Sequence, residues 1–437
     1  MIQAKREFVR IGCLTLVVAC AVSRLRADES RRVHCVEMGK IKSAADFMAV
    51  PGVKIAWHIG ANISSWLGNA RDVDRDGRID LVFVRETEGG GHVVRYDQDG
   101  KQVWKGALVN VGLGSESGLA IEDLDCDGTF EIVFNVHRQL WCIDADTGKT
   151  EWQIDLPDCR DNHQNAVVGH FLDRKRMAVV CRVYHDVTCY DAAGKKAWTY
   201  RIDNHNSYAH EMVCCDSDGN GLDEVYVSLN GKFVALGGDG KLRWCDSTCR
   251  NHSDFIFCGD VDGDGDREIV YDSNGCNAAL GPILCADAGT GKPVQQWLYA
   301  RPGKDHLQRA VLGDFDSSRP GAELAAVGKR AGMGGLIMWG RGGRPAWRRD
   351  IPARWVACAD WDGDGTLEIM PSVGGGDSRS WEVWNGAGKR VFAVSGFGSV
   401  PLGIESAGRE QPDRDGNGRA EVILTTEGDY VVLMEKP

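Results

Sequence analysis

Short apolar runs recur along the chain, and each of them follows a cluster of acidic residues at a fixed distance. The runs are rich in β-branched and aromatic residues, as in LVFV from Leu81 and IVFN from Ile132. This composition is typical of β-strands. Almost no segment has the apolar spacing of a helix, so the pattern predicts an all-β chain.

A second strand signal lies about twenty residues further on, where a glycine turn leads into a strand that often carries Trp. Examples are YDQDGKQVW from Tyr96, IDADTGKTEW from Ile143, YDAAGKKAW from Tyr190, GGDGKLRW from Gly237 and WNGAGKRVF from Trp384. Each unit is therefore predicted to contain four strands, in the order strand, acidic loop, strand, variable loop, strand, glycine turn, strand.

Eight such units follow one another at intervals of 44 to 54 residues, starting near residues 72, 123, 170, 216, 260, 314, 360 and 413. A four-stranded unit that repeats at this interval is typical of propeller blades. We therefore predict an eight-bladed β-propeller over residues 61–437. The last unit ends soon after one hairpin, so residues 28–60 are expected to supply the strands that complete the last blade.

In six units the acidic loop has oxygen-bearing side chains at positions one, three, five and nine, with glycine at position six. Alternating oxygens around a tight glycine turn suit Ca²⁺, which takes about six to eight oxygen ligands. We therefore predict several calcium ions, held by Asp72, Asp74, Asp76, Asp80, Asp123, Asp125, Asp127, Glu131, Asp216, Asp218, Asn220, Glu224, Asp260, Asp262, Asp264, Glu268, Asp360, Asp362, Asp364, Glu368, Asp413, Asp415, Asn417 and Glu421.

The other two units have degenerate loops. The loop from Asp314 has one inserted residue and Ser318 at an acidic position, and the loop from His170 has lost its ligands. The net charge of −12 adds little about partners, because most of the acidic excess lies in the predicted calcium loops. No basic stripe is present, so binding to nucleic acid is not expected. One propeller uses nearly all 437 residues, and we expect a monomer.

The first residues have the features of an export signal, with basic residues between Lys5 and Arg10 before the apolar stretch 11–22. That stretch is too short to span a membrane. Cleavage after Ala27 would release a soluble protein, whereas the lipoprotein-like sequence before Cys20 would anchor the chain through a lipid. Either alternative predicts a secreted, periplasmic or cell-surface protein, where millimolar Ca²⁺ can fill weak sites.

Fourteen cysteines follow Cys20, which favours disulfides in an exported protein. Spacing alone leaves their pairing open. Cys181, Cys189, Cys258 and Cys285 lie within apolar strand patterns, where a buried thiol is expected.

Ligands of propellers bind where the first strands of the blades meet around the central channel. Counting back six residues from each loop reaches a mostly polar set: Trp66, Ser117, Gln164, His210, Asp254, Gln308, Arg354 and Ala407. A strand with only a structural role would carry small apolar residues there. Basic side chains concentrate on units three to seven, at His163, His210, His252, His306, Arg309 and Arg354. A ligand site is therefore predicted on that side of the channel.

Three segments of units four to six resemble the eight-bladed rhamnogalacturonan lyases: SYAHEMVCCDSDGNGLDEV, NHSDFIFCGDVDGDGDREIV and HLQRAVLGDFDSSRPGAEL. Those lyases are secreted and hold many structural calcium ions. In that family a histidine before one loop, an H-x-D motif before the next loop and a glutamate hold a calcium ion in the active cleft. His210, His252 and Asp254 match these positions, and Asn274 stands near the glutamate position. Arg309 matches a further family arginine.

The resemblance implies β-elimination on a polysaccharide that contains uronic acid. The family's catalytic lysine and tyrosine have no counterpart, because residues 352–354 include no lysine and residues 402–410 include no aromatic side chain. The candidate base is then His163 or His306, since Arg354 would require a deprotonated guanidinium. Tyr208 is the candidate acid. The sugar is expected to contact Trp66, Gln164, Gln308 and Trp355.

A second interpretation is a non-catalytic propeller that calcium stiffens and that binds a glycan or a protein at the cell surface. Such a protein would be similar to the FG-GAP blades of adhesion receptors, and the missing lysine and tyrosine favour it. A quinone-cofactor dehydrogenase is suggested by the turn DADTGKTEW. That turn recurs in many propellers, and the one vicinal cysteine pair, Cys214 with Cys215, gives weak support.

Overall fold

The structure is a computed structural model, and it describes residues 34–37, 54–60, 63–78, 80–87, 90–109, 119–136, 138–157, 164–203, 212–229, 231–247, 255–272, 283–297, 307–318, 321–328, 335–340, 343–374, 379–397, 422–425 and 430–435. Every helix or strand assigned within these ranges is a β-strand, which confirms the all-β prediction. None of the described segments forms a helix long and apolar enough to cross a membrane.

The strands are numbered in chain order, and the sheets in the order of their first strands after residue 60. The N-terminal segment contributes β1 (His34–Glu37) and β2 (Lys54–Gly60). Sheets 1 to 3 contain β3 (Ile63–Arg71), β4 (Asp80–Thr87), β5 (Gly90–Tyr96), β6 (Gln102–Val109), β7 (Ala120–Glu122), β8 (Glu131–Val136), β9 (Gln139–Asp144), β10 (Thr150–Asp155), β11 (Gln164–Gly169), β12 (Ala178–Val183), β13 (Asp186–Tyr190) and β14 (Lys196–Arg201). Sheets 4 to 6 contain β15 (Met212–Cys215), β16 (Glu224–Leu229), β17 (Lys232–Leu236), β18 (Leu242–Asp246), β19 (Ile256–Gly259), β20 (Glu268–Asp272), β21 (Ile283–Asp287), β22 (Pro293–Trp297), β23 (Leu307–Gly313), β24 (Glu323–Gly328), β25 (Leu336–Trp339) and β26 (Pro345–Arg349). Sheets 7 and 8 contain β27 (Ala353–Ala359), β28 (Glu368–Val373), β29 (Arg379–Trp384), β30 (Arg390–Phe397), β31 (Val422–Thr425) and β32 (Tyr430–Glu435).

Four consecutive strands pair side by side in chain order in each of sheets 1 to 7. The pairs within these sheets are antiparallel, as in sheet 3 from β11 to β14. Strand β1 adds to sheet 7 by pairing parallel with β30. Strand β2 pairs antiparallel with β32, so sheet 8 combines one strand from the start of the chain with two from its end. This succession of small meander sheets is the arrangement of propeller blades.

The second strands of sheets 2 to 6 are largely apolar on both faces because each of these sheets packs between two neighbours. All residues of β8, β12 and β16 are buried. In β16, Val225 and Val227 pack against sheet 3, whereas Tyr226 packs with residues of sheet 5. Successive strand residues point to opposite faces, so a doubly covered strand is a continuous apolar run.

Hydrophobic clusters join each sheet to the next from sheet 1 to sheet 7. Phe134 of sheet 2 packs in one cluster with Val84 of sheet 1, and Trp339 of sheet 6 packs in another with Phe257 of sheet 5. Burial of a side chain of this size stabilises the fold by about 1.5–3 kcal/mol. The sheets are therefore held mainly by contacts between their faces.

At the outer end of most of these interfaces, a Trp of one sheet lies on the glycine turn of the next. The indole N–H of Trp198 donates to the carbonyl oxygen of Gly238 at 2.8 Å, and a Cβ on Gly240 would lie 2.6 Å from the ring. Gly240 also has a φ of +75°, which L side chains rarely adopt. The same Trp hydrogen bond joins Trp104 to Ala145, Trp152 to Ala192, Trp244 to Ala288 and Trp347 to Gly386.

The interface between sheets 5 and 6 departs from this pattern. Gln295 stands four residues after the turn glycine Gly291, where sheets 1 to 4 and sheet 6 carry Trp. The Trp of this sheet is Trp297, which is 1% exposed and belongs to the core between sheets 5 and 6. A Cβ on Gly343, in the turn of sheet 6, would collide with the carbonyl oxygen of Gln296, so backbone packs on backbone here.

One disulfide corrects the expectation that Cys258 is a buried thiol. It joins Cys215 on β15 to Cys258 on β19, with Cα atoms 6.5 Å apart. These are the first strands of neighbouring sheets, and only sheet packing brings them together. Because Cys215 is bonded to Cys258, it does not pair with its neighbour Cys214, the vicinal pair that gave weak support to a quinone-cofactor enzyme. Cys189 and Cys285 are buried thiols, as predicted.

We predict that Gly240→Ala lowers the free energy of unfolding by about 2–4 kcal/mol, because the new Cβ meets the Trp198 ring and the backbone is left-handed. Chemical denaturation measures the change. Gly289→Ala is the matched control in the turn of sheet 5, where the nearest atom to a Cβ is 3.9 Å away. Equal effects of the two substitutions would contradict the role of the Trp contact.

We predict that Cys215→Ser and Cys258→Ser each destabilise the oxidised protein by about 3–4 kcal/mol. Each substitution opens the loop that the disulfide closes between residues 43 apart in sequence, and the unfolded chain then gains conformational entropy. The double variant should be no less stable than either single variant, since one bond is lost in all three. Denaturation with and without reductant measures this. Cys245→Ser, at an exposed cysteine without a disulfide, is the control.

Candidate metal centres

The acidic loop connects the first and second strands of a sheet and turns sharply at two places. Position six is a glycine with positive φ in each complete described loop, as at Gly77 (89°) and Gly365 (88°). No atom lies within 4 Å of a Cβ at either glycine, so the backbone angle alone requires glycine. Position four is also left-handed, even where it is Arg75 (60°) or Cys126 (64°). The sequence pattern did not indicate this second turn.

Backbone amides of the loop orient its carboxylates. In sheet 7 the amide of Gly365 donates to Asp360 Oδ2 at 2.9 Å, and the amide of Thr366 donates to Asp364 Oδ1 at 2.8 Å. The side chain at position nine returns to the start of the loop, where Glu368 Oε2 accepts from the amide of Trp361 at 2.8 Å. The same return bond is made by Asp80, Glu131, Glu224 and Glu268.

Five loops bring three carboxylates together, with one oxygen of each within 4.8 Å of the others. The clusters are Asp72, Asp74 and Asp80; Asp123, Asp125 and Asp127; Asp216, Asp218 and Glu224; Asp260, Asp262 and Glu268; and Asp360, Asp362 and Glu368. The other predicted ligands of these loops include Asp76, Asn220, Asp264 and Asp364, which stand at loop position five. The sixth predicted set, Asp413, Asp415, Asn417 and Glu421, lies outside the described residues.

The chemistry of the clusters in sheets 2, 4, 5 and 7 fits a hard divalent cation. Their donors are carboxylate oxygens, the ligand type that Ca²⁺ and Mg²⁺ prefer. In sheet 2, Asp123 Oδ1 is buried and accepts no hydrogen bond within the described part of the chain. A buried charged oxygen without a partner is costly, and a cation would satisfy it.

The carboxyl group at loop position nine is buried, and its surroundings shift its pKa. Burial, together with the charges of Asp362 and Asp364, raises the pKa of Glu368 to about 8. Burial also raises the pKa of the equivalent glutamates to about 7 at Glu131, Glu268 and Glu323. Without a positive charge beside them these groups hold a proton near neutral pH, so a cation that binds there competes with that proton.

The two degenerate loops keep their shape through hydrogen bonds. In sheet 3, the amide of His170 donates to Asp223 Oδ2 of sheet 4 at 2.6 Å, and the amide of Asp223 donates to the carbonyl of His170 at 2.8 Å. In sheet 6, Glu323 Oε2 accepts from the amides of Phe315 at 2.9 Å and Asp316 at 3.1 Å. These contacts explain how the fold continues through loops that lack the full ligand set.

The predicted channel residues lie on the strands expected for them, as far as the structure describes them. Arg309 is half-buried on β23. Five more lie in first strands by their backbone, with side chains outside the described part: Trp66, Gln164, Gln308, Arg354 and Trp355. The other predicted cleft residues lie outside the described residues: His163, Tyr208, His210, His252, Asp254, Asn274 and His306.

Buried polar residues at the ends of the second strands were missed by the sequence analysis. They stand four residues after loop position nine, or after Ala178 at the equivalent position in sheet 3, and are Asn135, Arg182, Ser228 and Asp272, each 0% exposed. Antiparallel pairing places this end beside the start of the first strand, where Asn165 lies opposite Arg182. Counting along the second strand as well as the first would have identified them, since each interrupts an apolar run.

Similar solved structures have propeller folds. An exotype rhamnogalacturonan lyase, YesX, is 18% identical with a TM-score of 0.63, over 89% of this chain and 75% of that chain. The Dos1 propeller is 11% identical with a TM-score of 0.53, over 88% and 95%. BamB from Moraxella catarrhalis is 14% identical over 89% and 98%, with a TM-score of 0.44. The structural similarity to YesX and to the Dos1 propeller shows the fold alone.

A family model matches residues 89–316, which is just over half of the chain and covers the acidic loops of sheets 2, 4 and 5. No functionally curated protein matches the sequence. The family identified is not the lyase family that the sequence motifs resemble, although a lyase shares the fold. The chain belongs to the propeller family described as outer membrane protein assembly factor BamB.

Proposed function

We propose that the protein is an exported, calcium-loaded propeller of eight blades that binds a uronate-containing polysaccharide at its channel mouth and cleaves it by β-elimination. The observation that carries the proposal is the polar end of sheets 2 to 5, where buried Asn135, Arg182, Ser228 and Asp272 stand beside the first strands. A purely structural strand end would be apolar there, as the three residues that precede each of these polar residues in β8, β12 and β16 are.

The eight sheets support the eight-blade proposal. Sheet 8 takes β2 from the N-terminal segment and β31 with β32 from the end of the chain, which supports the expectation that residues 28–60 complete the last blade. Closing a ring with both chain ends removes the open edges that a terminal blade would expose.

The calcium proposal rests on the donor sets of the acidic loops. Sheets 2, 4, 5 and 7 each bring three carboxylates within 4.8 Å of one another on a loop pre-shaped by its own amides. A divalent ion would neutralise like charges that otherwise repel, and its binding to the folded state alone would stabilise the fold.

The cleft metal would be held by His210, His252 and Asp254, at positions six to eight residues before the acidic loops of sheets 4 and 5. Asn274 can add only a neutral oxygen. Asp272, the last residue of β20, stands two residues earlier in the sequence and is buried, and we assign the missing charge to its carboxylate. A metal bound there supplies Lewis-acid stabilisation of the charge that develops at the uronate carboxylate.

The chain's own residues have separate roles in this proposal. Arg309, half-buried on β23, binds the carboxylate of the sugar. His163 or His306 removes the proton alpha to that carboxylate, since imidazole titrates near neutral pH. Tyr208 donates a proton to the leaving oxygen.

The remaining residues bind the chain of sugars. We assign this role to Trp66, Gln164, Gln308 and Trp355, which lie on first strands of sheets 1, 3, 6 and 7. Arg354 stands at the position of the family lysine and is proposed as a second carboxylate contact, because its guanidinium remains charged.

A second candidate function is binding without cleavage. It is favoured by the match to a family of assembly factors and by the lack of a lysine at 352–354. In that case the same channel mouth binds a glycan or a protein, and turnover is absent. Export by either alternative, as a soluble protein cut after Ala27 or as a lipoprotein anchored at Cys20, is compatible with both functions.

We predict that removing calcium lowers the melting temperature by roughly 5–10 °C, because several loops then hold repelling carboxylates and lose a stabilising ligand. Differential scanning calorimetry with calcium and with a chelator measures the shift. Magnesium added back to the chelated sample tests ion preference. Identical melting in all three samples would refute the metal assignment.

We predict that the protein releases products with unsaturated uronate absorbance from rhamnogalacturonan, pectin or an algal uronan in the presence of Ca²⁺. His252→Ala and Asp254→Ala should lower turnover at least tenfold while the melting temperature stays within about 2 °C, because these side chains are assigned to the cleft. The matched loop variants Asp364→Ala and Asp127→Ala should do the reverse, with lower stability and retained turnover.

Binding that occurs on a glycan array without any product would support the second function. Binding to neither glycans nor polysaccharides would contradict both. If His252→Ala and Asp254→Ala melt early and the folded remainder keeps full activity, these residues are structural and the cleft assignment is wrong.

A further inference from the structure

Sheet 1 differs from the other sheets at one buried position beneath its acidic loop. Arg95 on β5 lies opposite Val82, two residues after loop position nine. Residues in the same register elsewhere are small or neutral: Cys142, Cys189, Ala235, Cys285 and Met338. In sheet 7 the position is Val383, one residue before Trp384, which pairs with Ile369. A charged group therefore replaces an apolar one in sheet 1.

The guanidinium of Arg95 is directed into the carboxylate cluster of that loop. Its Nη2 lies 2.8 Å from Asp74 Oδ2 and 2.8 Å from Asp80 Oδ2, and Nη1 lies 3.6 Å from Asp146 Oδ1 of sheet 2. The side chains of Arg95 and Asp80 are 3% and 1% exposed. Charges buried this deeply are stable only when they are paired, so the two groups neutralise each other.

A second change accompanies the arginine. Position nine is Asp80 in sheet 1, whereas it is glutamate in the other complete described loops, at Glu131, Glu224, Glu268 and Glu368. The carboxylate on the shorter side chain still accepts from the amide of Val73 at 3.0 Å, and it shares the same oxygen with Arg95. Sheet 1 thus differs from the other sheets at two residues that contact each other, Asp80 at loop position nine and Arg95 on β5.

We infer that Arg95 takes the place of a bound cation in sheet 1, so that this loop binds no Ca²⁺ while the loops of sheets 2, 4, 5 and 7 do. The inference rests on the calcium binding proposed above. Two of the three carboxylates that an ion would share already accept short hydrogen bonds from a guanidinium, which would also repel a divalent ion at that distance. The donor set of sheet 1 therefore does not fit the ion, despite the matching sequence motif.

Arg243 in sheet 4 also lies near an acidic loop, but its contact with the loop differs from that of Arg95. Its Nη2 lies 3.6 Å from Glu224 Oε1, and its side chain is 47% exposed. Solvent screens such a contact, so the interaction is weak. The inference is confined to Arg95, which is buried and makes two short contacts.

The test is the number of calcium ions per protein molecule, measured by native mass spectrometry and elemental analysis after equilibration with Ca²⁺. Asp74→Ala and Asp362→Ala remove the position-three carboxylate from sheet 1 and sheet 7, respectively. We expect Asp362→Ala to lose one ion and Asp74→Ala to keep the wild-type number. Asp74 is 47% exposed, so its loss should not unfold the protein.

Loss of one ion in Asp74→Ala would overturn the inference and leave the calcium proposal standing. A wild-type protein without bound calcium would overturn both. A second variant, Asp80→Glu with Arg95→Val, gives sheet 1 the residues of sheet 7 and should gain one ion above the wild-type number. An unchanged number in that variant, when its melting curve shows that it is folded, would also contradict the inference.

Discussion

Packing between neighbouring sheets is the interaction on which the rest of the structure depends. Each sheet is too small to bury its own apolar faces, so its second strand is stable only between two neighbours. The Trp of one sheet closes the outer end of the interface by lying on the glycine turn of the next, as Trp198 does at Gly240. The indole N–H of Trp198 also donates a hydrogen bond across this interface to the carbonyl oxygen of Gly238.

This packing also determines where charges can be placed. The acidic loops lie at one edge of the sheets, and loop position nine is buried because it begins a core strand. A buried carboxylate is costly unless hydrogen-bond donors or a positive charge compensate it. Backbone amides provide part of this compensation in every described loop. The sheets differ in the side chains beside the carboxylate, which are other carboxylates in sheet 7 and the buried guanidinium of Arg95 in sheet 1.

The opposite ends of the second strands carry the polar residues Asn135, Arg182, Ser228 and Asp272. A fold whose stability comes from sheet faces can tolerate polar groups at strand ends, because few apolar contacts are lost there. A fold of this kind does not by itself specify a function, which depends on the residues placed at its strand ends and loops. The disulfide from Cys215 to Cys258 fixes sheets 4 and 5, which carry most of the proposed cleft.

The all-β class, the repeating four-stranded unit and the carboxylate loops followed from the sequence, because each depends on neighbouring residues. Strand composition, turn glycines and alternating acids are local patterns of about ten residues. Their repetition along the chain makes them recognisable in the sequence. The doubly buried second strand was also readable as a continuous apolar run.

Contacts between sheets were decided only by the tertiary structure. The pairing of Cys215 with Cys258 depends on which strands become neighbours, and spacing in sequence does not specify it. The loop of sheet 1 has the same motif as the others, yet Arg95 from another strand of the sheet pairs with two of its carboxylates. A metal motif specifies which ligands are offered, whereas the surrounding fold decides whether their charge is already neutralised.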